Sequence, residues 1–190
     1  MGTIYSKPVE HLIINDYDTF TPMLTWNRSL ASPPETFYFQ EVILQSMIRQ
    51  WLSDHTNLQF MLNSMDLPHL QAQDFEVLGE KALPEGHIDI LIKDRIPTGY
   101  SRKVIIEIKL GQAQLKHVLQ LKNYIDEIGQ ECLVGTLIAR GFPKKVQMEA
   151  ENNRVECLTY SFGQVNMTRK YSFAELRSNL TISLPKEHKL

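Results

Sequence analysis

The chain has 190 residues and a mass of 22.0 kDa, which bounds it to one domain of ordinary size with room for terminal arms. Hydrophobic residues make up 43% of it, enough for a core, and the formal net charge of -2 argues against coating nucleic acid by bulk charge while leaving room for a local basic groove. No stretch approaches the ~18 apolar residues of a membrane span, the start MGTIYSKPVEHLI lacks a signal peptide's basic head and apolar run, and Cys132 and Cys157 show no ligand spacing, so the expectation is a cytoplasmic chain with buried, reduced thiols, a single disulfide being the alternative.

Residues 1–34 have no sustained period. HLIIND has the content of a short strand, TPMLTWNRSLASPPE reads as loop ended by Pro33-Pro34, and the segment is expected to be an arm or cap used in self-association. In residues 35–53, Phe37, Glu41, Leu44, Ile48 and Trp51 recur at three- and four-residue steps, which predicts a helix from near Pro34 to near Ser53-Asp54. From 54 to 73 the pattern blurs, and Pro68 limits any helix. QDFEVLGEKAL, with a turn expected at Gly79, HIDILIKD (87–94) and KVIIEIKL then read as strands, the last two joined by a hairpin-like connection with Pro97 and Gly99. Gly111 opens a helix, QAQLKHVLQLKNYIDEIG, that stops at Gly129. CLVGTLIAR and RVECLTYSF read as strands around a short helix, KKVQMEAEN. Beyond residue 164, QVNMTRKYSF reads as an edge strand, FAELRSNL as a helical turn or two and PKEHKL as a loose tail. This order predicts an α/β fold with a central mixed β-sheet flanked by helices.

Charge inside two of these strands asks for a reason. Alternation puts Val104, Ile106, Ile108 and Leu110 on one oily face, and Ile105, Glu107 and Lys109 on the other. In HIDILIKD, Ile88, Ile90 and Ile92 share a face opposite His87, Asp89 and Leu91. Paired strands would set Asp89 beside Glu107, and like charges that close disfavour one another unless a cation joins them. Hard oxygen ligands suit Mg²⁺, with Mn²⁺ as a substitute, and the Ile108 carbonyl adds one more oxygen. Lys109 would then face a phosphate or a water, the set that metal-assisted phosphodiester hydrolysis needs. An exposed edge strand with an ordinary Glu–Lys pair is the plainer explanation of VIIEIKL taken alone.

The run from Gly86 to Asp89, followed after a hairpin by Glu107-Ile108-Lys109, resembles the PD-(D/E)xK nuclease superfamily. More closely, GHIDILIKD, VIIEIKLGQA and QLKNY are similar to the nuclease domain of the mismatch-type endonucleases NucS/EndoMS. Those show Gly-Arg-Ile-Asp, then Glu-Leu-Lys, then a Gln-containing helix ending in Tyr. Here His87 stands for the Arg and Ile108 for the Leu, while Gln120, Tyr124 and, in the first helix, Glu41 match. The resemblance covers residues 35–165, leaving 1–34 as the arm and 166–190 as a C-terminal extension, and the separate N-terminal DNA-binding domain of those enzymes has no counterpart in this sequence.

That resemblance implies a restriction-endonuclease-like core and a Mg²⁺-dependent endonuclease acting on DNA. Asp89, Glu107, Lys109 and Gln120 would be catalytic, and Glu41, Asp89, Glu107 and Ile108 would be metal ligands. His87, His117, Tyr124, Lys93 and Arg102 are candidate substrate contacts, each with a plainer role as packing or solvated surface, and Glu80 and Glu85 are second-rank acids. A homodimer would allow double-strand cutting. The competing readings are a non-catalytic nucleic-acid-binding or assembly protein on the same fold, and a sugar- or protein-binding α/β domain with decorative charge.

Overall fold

The structure is a computed structural model that describes residues 11–13, 36–83, 86–163, 165 and 170–185. Two short strands, β1 (His11–Ile13) and β2 (Thr36–Tyr38), pair in parallel as a sheet of their own. Helices α1 (Glu41–Leu52) and α2 (His55–Ser64) follow. Then come β3 (Phe75–Leu83), β4 (Gly86–Asp94) and β5 (Lys103–Ile108), helix α3 (Leu115–Ile128), β6 (Cys132–Ala139), α4 (Lys144–Asn152), β7 (Val155–Phe162), α5 (Phe173–Asn179) and β8 (Leu180–Ser183).

Strands β3 to β8 form one six-stranded sheet in sequence order. β3, β4 and β5 meander antiparallel, β5, β6 and β7 run parallel with α3 and α4 as crossovers, and β8 closes the far edge antiparallel to β7. The central strands are oily on both faces, as strands covered by helices on both sides must be. Val104, Ile106 and Ile108 of β5 join a core with Ile43, Leu44, Met47 and Ile48 of α1 and Leu58, Met61 and Leu62 of α2. Ile105 joins Val118, Leu121 and Tyr124 of α3 and Val146 of α4 on the opposite face. The mixed sheet flanked by helices agrees with the α/β expectation.

Local departures have local causes. The first helix starts at Glu41 rather than near Pro34, because Gln40 is extended (φ -135°, ψ 161°) and residues 36–38 pair with 11–13 instead. The blurred region hides α2: Asp54 Oδ1 accepts from the Thr56 and Asn57 amides at 2.8 and 3.2 Å, and Leu58, Met61 and Leu62 supply a narrow buried stripe. Helix α3 starts at Leu115, four residues beyond Gly111, since the chain first runs alongside Gly141, with the Ala113 amide donating to the Gly141 carbonyl at 2.9 Å. FAELRSN is helical as expected, with a Ser172–Glu175 capping box, and the strand beside β7 is the unanticipated β8. In place of the turn expected at Gly79, β3 runs unbroken through that residue, which pairs with Ile90 of β4. Half of QVNMTRKYSF lies outside the described residues and its last residue, Phe173, opens α5, while TPMLTWNRSLASPPE lies wholly outside them, as does most of the tail.

Strand β4 also breaks its expected alternation. Ile90 and Ile92 enter the α1 core, but Ile88 packs with Leu91, Ile105 and Tyr124 on the α3 side. The change of side falls at Asp89.

Candidate active site

Strand β4 pairs with β5 only from Lys93↔Lys103 to Ile90↔Ile106, although it stays paired with β3 as far as Gly86. The two central strands therefore part where Asp89 and Glu107 stand. Along β5, backbone groups alternate sides. The Lys109 amide donates to the Ile138 carbonyl of β6 at 2.8 Å, so the Ile108 and Leu110 amides face the side that β4 has left. Carboxylates take the place of the missing strand: Asp89 Oδ2 accepts from the Ile108 amide at 2.7 Å, and Glu41 Oε2 accepts from the Leu110 amide at 3.0 Å. Helix α1 brings Glu41 there by burying Ile43, Leu44, Met47 and Ile48 against the sheet, which leaves its first residue over the parting.

Lys109 bridges two of the acids. Its Nζ lies 3.0 Å from Glu41 Oε1 and 2.9 Å from Glu107 Oε1. The Glu107 side chain is only 3% exposed, and among the described residues its second oxygen, Oε2, is buried with no hydrogen-bond partner.

Burial and crowding set the charges. Asp89 is pushed up to about 7, first by burial and then by Glu107, against the pull of the Ile108 amide and Lys109. Burial also raises Glu107, with Lys109 opposing. Burial alone would lower Lys109, but Glu107 and Glu41 outweigh it and hold the ammonium above its usual range. His117 is lowered to about 4, first by burial and then by Lys109, so its imidazole is neutral at pH 7.

The other expected site residues divide. Gln120 Nε2 donates to the Tyr124 hydroxyl at 2.9 Å and bonds no member of the carboxylate cluster among the described residues. Tyr124 is 2% exposed and packed in the α3 core with its hydroxyl against Gly86. His117 is largely buried, and its Nδ1 accepts from the Gln114 amide at 3.1 Å, which shapes the start of α3. His87 is exposed on the same strand as Asp89. The side chain of Glu80 and the whole of Glu85 lie outside the described residues.

Lys93 and Arg102 differ from the other candidates in position and in partner. They sit at the other end of β4 and β5 from Asp89 and Glu107, ~13 Å along the strand at ~3.3 Å per residue. Lys93 pairs with Glu76 at 2.8 Å. Arg102 grips Asp94 through Nε at 3.0 Å and Nη2 at 2.7 Å, and its guanidinium lies 4.9 Å from the Phe75 ring centroid. These residues hold the hairpin together. The thiols of Cys132 and Cys157 are free, and burial pushes them up to about 11 and about 12.

One cation beside the site escaped the sequence reading. Exposed Val42 and Arg49 and half-buried Gln45 and Ser46 form one stripe of α1 and line a groove with Gly79 and Asp89. The available signals were the helical spacing of Arg49 from Glu41 and a glycine inside a strand, which marks close approach of another group.

No three His, Cys, Asp or Glu side chains stand in ready ligand geometry among the described residues. The donor set still suits a hard divalent cation: Glu41, Asp89 and Glu107 supply only oxygen, and Glu107 Oε2 is buried without a partner among the described residues. Strand geometry turns the Ile108 carbonyl to the same side as its amide.

A mixed sheet with helices on both faces, an Asp on one central strand and Glu-x-Lys on the next define a restriction-endonuclease-like domain of the PD-(D/E)xK class. Within that class, the chain belongs to the family of the endonuclease NucS C-terminal domain, which it matches over residues 55–172. Similar solved structures include a repair endonuclease from Pyrococcus abyssi, at 24% identity over 55% of this chain and 44% of that one, with a TM-score of 0.39. An EndoMS–double-stranded DNA complex matches at 25% identity over 55% and 42%, with a TM-score of 0.37. SfsA of Pyrococcus furiosus in complex with Ca²⁺ matches at 11% identity over 67% and 62%, with a TM-score of 0.35. The chain thus spans less than half the length of the first two. No curated protein matches it. Among the described residues, no helix is long and apolar enough to cross a membrane.

Proposed function

We propose that this chain is a metal-dependent endonuclease that hydrolyses DNA phosphodiester bonds with an activated water. The observation that carries the reading is the buried, unpartnered Glu107 Oε2 beside Asp89 and Lys109, at the point where β4 and β5 part. Family membership supports a nuclease.

In this reading Glu41, Asp89, Glu107 and the Ile108 carbonyl hold Mg²⁺, or Mn²⁺ in its place. A bound divalent ion supplies Lewis-acid polarisation of a phosphoryl oxygen and a more acidic water. Lys109 keeps its proton and offsets the negative charge that grows on the phosphate. Glu41 and Glu107 fix where that ammonium stands. Asp89 and Glu41 hold the open edge of β5 through the Ile108 and Leu110 amides, so side chains of β4 and α1 fix the backbone at the site where main-chain pairing with β4 has ended. Gln120 acts at one remove, by fixing Tyr124 under the β4 entry.

The same reading treats residues 35–165 as the nuclease domain, 1–34 as an arm for self-association and 166–190 as an extension. DNA is the partner, and a symmetric pair of chains would cut both strands of a duplex.

The test is a cleavage panel of single-stranded, duplex, mismatched, flap and branched DNA with Mg²⁺ and with Mn²⁺, run beside Asp89→Ala and Lys109→Ala and a solution mass. Cutting by the wild type and not by the variants is expected. Variants as active as the wild type would overturn the site. DNA binding without cleavage under every condition would make the chain a non-catalytic binding protein.

A further inference from the structure

We infer that Arg49 forms a phosphate subsite for the nucleic-acid backbone beside the carboxylate cluster, and that Gly79 is the residue that keeps it open. The inference rests on the nuclease reading of that cluster and adds a substrate contact to it.

The cluster has a charge problem that its own residues do not solve. Three carboxylates, Glu41, Asp89 and Glu107, meet one ammonium, Lys109, which is already engaged with two of them. A polyanion approaching this place needs a positive charge outside the cluster. The cations that the sequence offered, Lys93 and Arg102, are paired with Glu76 and Asp94 at the opposite end of the strands. Arg49 is different in place and in state. It is exposed, it lines the groove that ends at Asp89, and among the described residues its guanidinium makes no ion pair or hydrogen bond. A planar fork of unsatisfied donors matches a phosphate's oxygens.

The groove is built to admit it. Val42, Gln45, Ser46 and Arg49 stand at i, i+3, i+4 and i+7, so one helical stripe faces β3. Gly79 of β3 pairs with Ile90, the neighbour of Asp89. A methyl at residue 79 would overlap Arg49 Nη1 and press on Arg49 Cδ and Cζ. The side chain of Arg49 therefore lies across the space that a larger residue would fill. Gln45 and Ser46 add neutral polar groups between Arg49 and the cluster.

The experiment measures binding of the full chain to a short fluorescent DNA duplex across a salt series, with Mg²⁺ omitted. Arg49→Ala is expected to weaken binding about five- to tenfold and to lower the slope of log K against log[salt] by about 0.9, one phosphate's worth. Arg49→Lys should retain the slope, because the charge remains. Gly79→Ala should weaken binding in the same direction, since only the flexible end of Arg49 has to move, and Arg49→Ala combined with Gly79→Ala should add no further loss. Lys93→Ala should leave the slope unchanged. An Arg49→Ala slope equal to wild type, or an equal loss in Lys93→Ala, overturns the subsite. If the wild type cuts DNA while the Arg49→Ala slope is unchanged, only the subsite falls. If the wild type neither binds nor cuts, the nuclease reading falls and takes the subsite with it.

Discussion

Asp89 Oδ2 accepts a hydrogen bond from the Ile108 amide at 2.7 Å, so a carboxylate proposed to hold a metal also completes the edge of its neighbouring strand. The two roles separate on substitution. Asp89→Asn keeps an oxygen for the Ile108 amide and removes the repulsion with Glu107, so it should fold as stably as wild type while cleavage falls ~100-fold or more. Asp89→Ala leaves that amide without its partner and should also lose about 1–3 kcal/mol of stability. Thermal melts run beside a cleavage assay check both, and a fully active Asp89→Asn would remove Asp89 from the chemistry.

Glu41 has the same double duty from a different element. Glu41→Gln retains an acceptor for the Leu110 amide but gives up the charge facing Lys109. Cleavage should drop about 10- to 100-fold, the usual effect of losing a group that orients a metal site, with little change in melting temperature. Divalent-ion binding by calorimetry should weaken in parallel. Unchanged ion affinity would mean that Glu41 serves only the backbone.

The Asp94–Arg102 pair should govern stability and not cleavage. Burial alone would raise the Asp94 carboxyl, but the Arg102 guanidinium and amide outweigh it and hold it below its ordinary value near 3.8. A carboxyl lowered on folding stabilises the protein above its unfolded value, and that contribution is lost as pH falls through the folded one. Asp94→Asn should therefore cost about 1–3 kcal/mol at pH 7, and its deficit against wild type should close as the pH falls below about 4. Urea titrations at pH 7, 5 and 3 read this directly. A deficit independent of pH would show that charge plays no part.

Gly86→Ala should destabilise the fold by about 1–3 kcal/mol. Residue 86 has φ +150°, and a methyl there would overlap the Tyr124 hydroxyl. Tyr124→Phe removes the obstructing oxygen, so the double variant should recover part of the loss despite freeing Gln120. Chemical denaturation of the two single variants and the double one measures the coupling. Strict additivity would locate the strain in the backbone alone.

The strands of the central sheet were legible because their β-branched runs are long and their charges few. HIDILIKD and KVIIEI needed no tertiary knowledge to be read as neighbours, and Asp89 and Glu107 stood out because carboxylates are rare in such surroundings. Helix α2 was not legible, because its buried stripe is three residues wide and its cap is a single Asp. Strand β2 was hidden because its partner lies more than twenty residues away in the chain. The basic hairpin was legible only in part for a related reason. Composition shows that Lys93 and Arg102 are cations, but only the fold shows that each has an acid beside it and that both stand at the end of the strands away from Asp89 and Glu107.

Glu41 lies outside the stretch 55–172 that matches the family, whereas Asp89, Glu107 and Lys109 lie within it. The motif is thus portable in sequence but not self-sufficient in space. A fragment cut to that stretch would carry every letter of Asp-x₁₇-Glu-x-Lys and still leave the Leu110 amide open and Lys109 answered by Glu107 alone. Helix α1 reaches its place through Ile43, Leu44, Met47 and Ile48, apolar side chains that carry no chemistry of their own. If the proposed chemistry holds, competence in this chain is therefore a readout of helix docking: a core defect under α1 would be expected to silence the site with all of its motif residues intact.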